Sequence, residues 1–179
     1  MTDAPHPDAG PGAAHAARRG DVGFAVVDTN VWLDLFVFME PRARCLARAL
    51  EAPSESGLVA VRCRQTDAEV DSVLQRPRFA PLAAAHPGSL ARWQSMAKPV
   101  VVSGPAPWTC TDRDDQKFLD LAFAVRAILL LTKDKALLSL NRKTARDGLW
   151  ILTPDEFGRR FPHDRSPQRE CIVERMVAT

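Results

Sequence analysis

The chain has 179 residues, 46% of them hydrophobic, and a formal net charge of +2. That supplies enough apolar material for one domain with a full core. The charge neither demands nor excludes nucleic acid, so affinity for phosphates has to come from local arginine clusters. No apolar run approaches the ~18 residues of a membrane span, and the N-terminal residues lack the apolar core of a secretory signal. The cysteines (Cys45, Cys63, Cys110, Cys171) and histidines (His6, His15, His86, His163) have no zinc-ligand spacing. A cytoplasmic protein with reduced thiols is expected.

Residues 1–20 are rich in Ala, Pro, Gly and His and read as a flexible tail. Phe24 to Val27 then runs straight into Asp28, as a strand buried on both faces does when it ends at a functional edge. An aspartate at the carboxyl end of a first parallel strand points into the crevice where open α/β sheets bind ligands. Thr29 and Asn30 offer caps for a helix from Val31 to Phe38. Glu40 to Ala52 reads as a second helix, with Cys45, Leu46, Ala49 and Leu50 on one stripe. A turn over 53–57 leads to a short strand, Leu58 to Val61.

Thr66 to Arg76 is the next helix. Thr66 and Glu69 have capping-box spacing, and Pro77 closes the element. Residues 79–97 are helical but broken at His86-Pro87-Gly88, and Pro99 to Val102 is a third strand. A strongly apolar helix starts within Cys110 to Leu119, followed by a fourth strand, Ile128 to Leu131, and a short helix, Lys135 to Leu140. Trp150 to Leu152 is a fifth strand, and Thr153-Pro154 opens a last helix with proline at its first position. Past Phe161 the chain is charged, with room for a short helix from Cys171 to Val177. Alternating strands and helices imply an α/β fold: three layers, α/β/α, with a parallel sheet of four or five strands. The expected organisation is a tail (1–20), one domain (21–161) and a charged extension (162–179).

Four acids stand out. Asp28 and Asp134 follow strands, whereas Glu69 and Asp115 lie near the starts of helices that follow strands. In a parallel sheet those positions share one edge, so acids distant in sequence converge on one crevice. Hard divalent cations such as Mg²⁺ and Mn²⁺ take that kind of oxygen-rich site. Each acid also has a plain structural reading. Glu69 fits the capping box of Thr66, Asp112 and Asp115 can cap a helix, and Thr132 can cap the helix that Asp134 enters. Capping alone does not explain why two strands end in an acid.

The runs Val26-Val27-Asp28-Thr29-Asn30-Val31, Glu69-Val70-Asp71-Ser72-Val73-Leu74-Gln75-Arg76-Pro77-Arg78-Phe79, Asp112-Arg113-Asp114-Asp115-Gln116-Lys117-Phe118-Leu119, Leu131-Thr132-Lys133-Asp134-Lys135-Ala136-Leu137-Leu138 and Ile151-Leu152-Thr153-Pro154-Asp155-Glu156-Phe157 occur in that order. Together they resemble the blocks of the PIN-domain family, over residues 24–158, and in particular a subfamily assigned to the toxins of bacterial type II toxin–antitoxin systems. The resemblance implies a PIN-like, Rossmann-type fold and a metal-dependent endoribonuclease. It makes Asp28, Glu69, Asp115 and Asp134 the catalytic, metal-binding acids, with Asp112 assisting and Asn30 and Thr132 in support. It implies Mg²⁺ or Mn²⁺ as cofactor, RNA as substrate, and a cognate antitoxin and a homodimer as candidate partners; the lack of a long apolar run implies no membrane.

Trp32 and Asp34 stand where small or aliphatic residues are expected; the first reads as a core or interface residue, the second as a solvent-facing acid. The apolar run Trp32 to Met39 reads either as partly covered by a second chain or as entirely core. Arg42, Arg44, Arg48, Arg62, Arg64, Arg76, Arg78, Arg142, Lys143 and Arg146 are candidates for phosphate contacts. No histidine is placed as a general base, and no lysine or arginine is expected among the acids. The alternative from another class is a non-catalytic PIN-like module that binds RNA or a protein partner.

Overall fold

The computed structural model describes residues 22–162, together with Ile172 and Met176. Its strands are β1 (Gly23–Val27), β2 (Leu58–Arg62), β3 (Lys98–Pro99), β4 (Leu129–Leu131) and β5 (Trp150–Leu152). They form one sheet in the order β3-β2-β1-β4-β5, with every pairing parallel. Sequence order therefore reverses between β1 and β4, the topological switch point at which such sheets open a crevice.

The apolar runs form strands because both faces of the sheet are covered. Ala25, Val27, Leu58, Ala60, Leu129, Leu131 and Leu152 contribute to one core, and Val26, Val61, Leu130 and Ile151 to the other. The helices are α1 (Thr29–Phe36), α2 (Arg44–Glu51), the single turn α3 (Pro53–Ser56), α4 (Arg64–Leu74), α5 (Ala80–Ala85), α6 (Ser89–Met96), α7 (Gln116–Ala124), α8 (Lys135–Leu138), α9 (Asn141–Thr144) and α10 (Pro154–Arg160). The first core takes side chains from α1, α2, α4, α6 and α10, and the second from α7 and α8. The result is the three-layer α/β/α arrangement that the alternation of elements implies. Among the described residues no helix is long and apolar enough to cross a membrane.

Helix starts differ from the sequence pattern for local chemical reasons. Asp28 is itself the N-cap of α1, accepting from the Asn30 backbone N–H at 3.2 Å, so Thr29 and Asn30 lie inside the helix. In α4 the cap is Cys63. Thr66 Oγ1 accepts from the Cys63 N–H at 3.0 Å and donates to the Cys63 carbonyl at 2.9 Å. Thr66 thus turns back on the cap, and Glu69 is left in the helix interior with no capping role. The expected 53–57 turn is the helical turn α3, closed by Gly57 at φ 71°, a left-handed position that glycine adopts without strain. The third strand is only two residues long; the Val100 N–H still donates to the Arg62 carbonyl at 2.8 Å, and the nitrogen of Pro99, which has no hydrogen, faces the outer edge. At the opposite edge the outward Ile151 N–H donates to Asn141 Oδ1 at 2.8 Å. Helix α7 begins at Gln116, six residues past Cys110. The intervening chain is held as a turn by Asp112 Oδ1, which accepts from the Asp114 N–H at 2.9 Å, and by Gln116, whose side chain bonds the Cys110 N–H and the Trp108 carbonyl.

Trp32 is a core residue stacked near Phe36, and of the run Trp32 to Met39 only Phe38 and Met39 reach solvent. Ile172 and Met176 are helical and belong to the first core. The tail over 1–20 and the rest of the helix expected from 171 to 177 lie outside the described residues.

Leu130, in the middle of β4 and fully buried, has no room to be shortened without leaving a void. Leu130→Ala is expected to cost about 3 kcal/mol, read as a fall in the urea midpoint with an unchanged slope.

Candidate active site

The site is built where β1 and β4 end side by side. The Asp28 N–H donates to the Leu131 carbonyl at 2.9 Å, which continues the β1–β4 pairing one residue past the strand. Asp28 is only 2% exposed. Its Oδ2 accepts a 2.6 Å hydrogen bond from the Thr132 hydroxyl. Thr132 has no exposed surface, and its Oγ1 in turn accepts from the Asp134 N–H at 2.9 Å. One hydroxyl thus joins Asp28 to the loop that carries Asp134. Asp134 caps α8, with Oδ1 accepting from the Ala136 and Leu137 N–H groups at 2.6 and 3.3 Å. The cap of this helix is thus Asp134 itself and not Thr132, the residue that the sequence suggests, and the second Asp134 carboxylate oxygen stays out of the cap.

Asp115 behaves differently. It occupies the N-cap position of α7, yet its side chain makes no capping hydrogen bond. Burial, followed by the negative charges of Asp28, Asp134 and Asp112, pushes its carboxyl up to about 7, against a smaller opposing pull from Lys117. Asp28 is also raised, chiefly by burial; the hydrogen bonds from Thr132 and Asn30 oppose this, and Glu69 and Asp134 add to it. Asp28 is therefore within electrostatic reach of Glu69 and Asp134, and Asp115 within reach of Asp28, Asp134 and Asp112. Asp112 is the exposed member and holds its own turn. Asn30 meets Asp28 through its backbone rather than its side chain.

Two residues near the acids were not visible in the sequence. Helix α4 packs against α7, and Lys117 Nζ stands 3.2 Å from Glu69 Oε2. This corrects the expectation that no cation stands among the acids; nothing in the sequence spacing announces a contact between two helices 48 residues apart. Cys110 is the other. Burial raises its thiol, and the charges of Asp115, Asp134 and Asp112 add to that shift, while the backbone of Asp112 opposes it. Asp34 is a second correction. It is 8% exposed, not solvent-facing, because Lys133 reaches over from the loop after β4 and pairs with it at 2.7 Å. Since Lys133 lies between Thr132 and Asp134, this pair ties α1 to the same loop a second time.

Among the described residues no three acids are close enough to share one ion as their side chains stand. The donor chemistry nonetheless suits a hard divalent cation. The groups are carboxylates, their negative charge is undercompensated, and Glu69 Oε2 is buried without a hydrogen bond.

A family model for the PIN domain matches residues 25–136. The chain belongs to the PIN-domain family. The matched region contains the segments that carry Asp28, Glu69, Asp115 and Asp134, while β5 and α10 lie beyond it. PIN domains are generally nucleases, so this one has a nuclease-like fold. Among curated proteins no match to the chain was found.

The electrostatics of the PIN acids have a signature in stability. An acid whose folded-state pKa is raised costs nothing while it is protonated in both states. It destabilises the native state once the pH passes its unfolded value, and the loss is complete above the folded one. In EDTA, wild-type stability should fall relative to Asp115→Asn between about pH 4 and about 7. Above that range the variant should melt higher, since Asp115 makes no cap to lose. Thermal unfolding across this range checks it, and equal melting temperatures throughout would mean that Asp115 is not under repulsion.

Proposed function

We propose that this PIN domain is a Mg²⁺- or Mn²⁺-dependent endoribonuclease and the toxin of a toxin–antitoxin pair. The observation that carries the reading is the convergence of Asp28, Glu69, Asp115 and Asp134 from four separate segments on the β1–β4 switch point, with the Asp115 carboxyl pushed up to about 7. In this reading those four hold the ion, Asp112 assists at the rim, and Thr132 and Asn30 position Asp28. A bound divalent ion would supply a Lewis acid that polarises the phosphodiester and makes water a competent nucleophile near neutral pH.

The chain's own contribution is orientation and charge. Thr132 and the Asn30 N–H fix Asp28 from both oxygens, so the carboxylate loses little freedom on binding. Asp134 is held by the first turn of α8. Asp115 keeps a proton near neutrality and can release it as a cation approaches. RNA brings its phosphates to the rim. There Arg62 is committed to Asp67 and Arg42 pairs with Asp155; of the remaining exposed candidates, Arg142, Lys143 and Arg146 lie nearest in sequence to Asp134. A cytoplasmic location suits this role. An antitoxin or a second copy of the chain would find Phe38 and Met39 exposed at the end of α1.

Asp28→Asn keeps the shape and removes the charge. It is expected to lose more than the roughly 100-fold that outer partners of metal ligands are worth, measured as cleavage of total RNA with and without Mn²⁺. Induced expression should arrest growth for the wild type and not for this variant. Cleavage by Asp28→Asn at the wild-type rate would sink the assignment, and RNA binding without cleavage by the wild type would favour the non-catalytic module.

Thr132→Val removes only the hydroxyl that links Asp28 to the Asp134 loop. It should lower the cleavage rate about 10–100-fold while the circular dichroism spectrum stays unchanged.

A further inference from the structure

We infer that Lys117 is a built-in counter-cation of the acid cluster, which pairs with Glu69 in the metal-free protein and has to release it when a divalent ion binds. The inference rests on the metal-binding reading above and assigns a role to a residue outside the acid set.

Three observations on Lys117 carry it. The first is position. Lys117 lies in the first turn of α7, two residues from Asp115, where a positive charge opposes the helix dipole. Its side chain nevertheless turns inward and keeps only 16% of its surface exposed. The second is partnership. Nζ stands 3.2 Å from Glu69 Oε2, donates to the Asp114 carbonyl, and lies 4.8 Å from the centre of the Phe118 ring. The third is the quality of the Glu69 contact. Glu69 Oε2 is buried and has no hydrogen bond despite the short approach, so the pair is held by charge and not by directed geometry. Glu69 stands outside the capping box of α4, because Thr66 bonds back to Cys63.

A half-buried ion pair without hydrogen bonds is a weak reason for a helix contact on its own. It makes better sense as charge compensation. One ammonium offsets one of the crowded carboxylates and leaves a net negative crevice; a divalent ion offsets two and prefers carboxylate oxygen. The ammonium and the ion compete for the inner oxygen of Glu69. Whatever Lys117 contributes to the metal-free state is then subtracted from the affinity for the ion, by the linkage that joins any two ligands of one site. Lys117 would act through Glu69 as a positioning residue that sets the metal concentration at which the site loads.

Lys117→Met keeps the stem over Phe118 and removes the charge, and Lys117→Arg keeps the charge. Mn²⁺ binding is measured by titration calorimetry, and melting temperature in EDTA and in Mn²⁺, both without reference to cleavage. Lys117→Met should bind Mn²⁺ roughly three- to tenfold more tightly, melt lower in EDTA and gain more on adding Mn²⁺; Lys117→Arg should stay close to wild type. If Lys117→Met does not fold, Lys117→Gln carries the same expectation. A folded variant that binds Mn²⁺ no more tightly than wild type overturns the inference, while loss of binding in Asp28→Asn would keep the metal site standing. Absence of saturable Mn²⁺ binding to the wild type would overturn both.

Discussion

The hydrogen bond from Thr132 to Asp28 is the contact on which the crevice depends. It closes the gap at the one place where the sheet changes direction, between β1 and β4, and it does so with a residue that has no exposed surface. Because the same oxygen accepts from the Asp134 N–H, the two strand-end acids are spaced by a single hydroxyl. The Asp34–Lys133 pair repeats the connection from α1. Asp28 and Asp134 are thus set by the ends of neighbouring strands, and rigid placement is what a constellation of like charges requires.

Like charges held together are costly, and the structure shows where the cost falls. Asp28 is relieved by two hydrogen bonds and Asp134 by a helix cap, whereas Asp115 has neither and carries the largest resolved shift. Glu69 is relieved by Lys117. Each acid has a distinct local environment even though all four share a crevice.

How much of this could be read from the chain follows from the range of each interaction. Strands were legible because burial on both faces leaves an unbroken apolar run, as in Phe24 to Val27 and Leu129 to Leu131. The edge of the sheet that carries Asp28 and Asp134 followed from the parallel topology. Helix starts were less legible, since Thr66 is the inner partner of a cap at Cys63 and Asp115 stands at a cap position without a capping hydrogen bond. The contacts of Lys117 with Glu69 and of Lys133 with Asp34 were not legible at all. They depend on how helices lean across the sheet, and both partners, taken alone, look like ordinary surface charges. The placement of the acids was accessible to sequence; the cations that answer them were not.

The two borders of the sheet limit how this domain can meet another chain. On one side the last strand stops at Pro99, which offers no donor, and on the other the outward N–H of Ile151 is already taken by Asn141. Among the described residues, neither border strand offers a visiting strand an open donor at these two positions. Addition of a foreign strand, and the end-to-end stacking into fibres that exposed borders invite, are both discouraged by these two residues. Among the described residues, association is left to the helical layers, where side-chain shape and charge, and not backbone pairing, decide which partner fits.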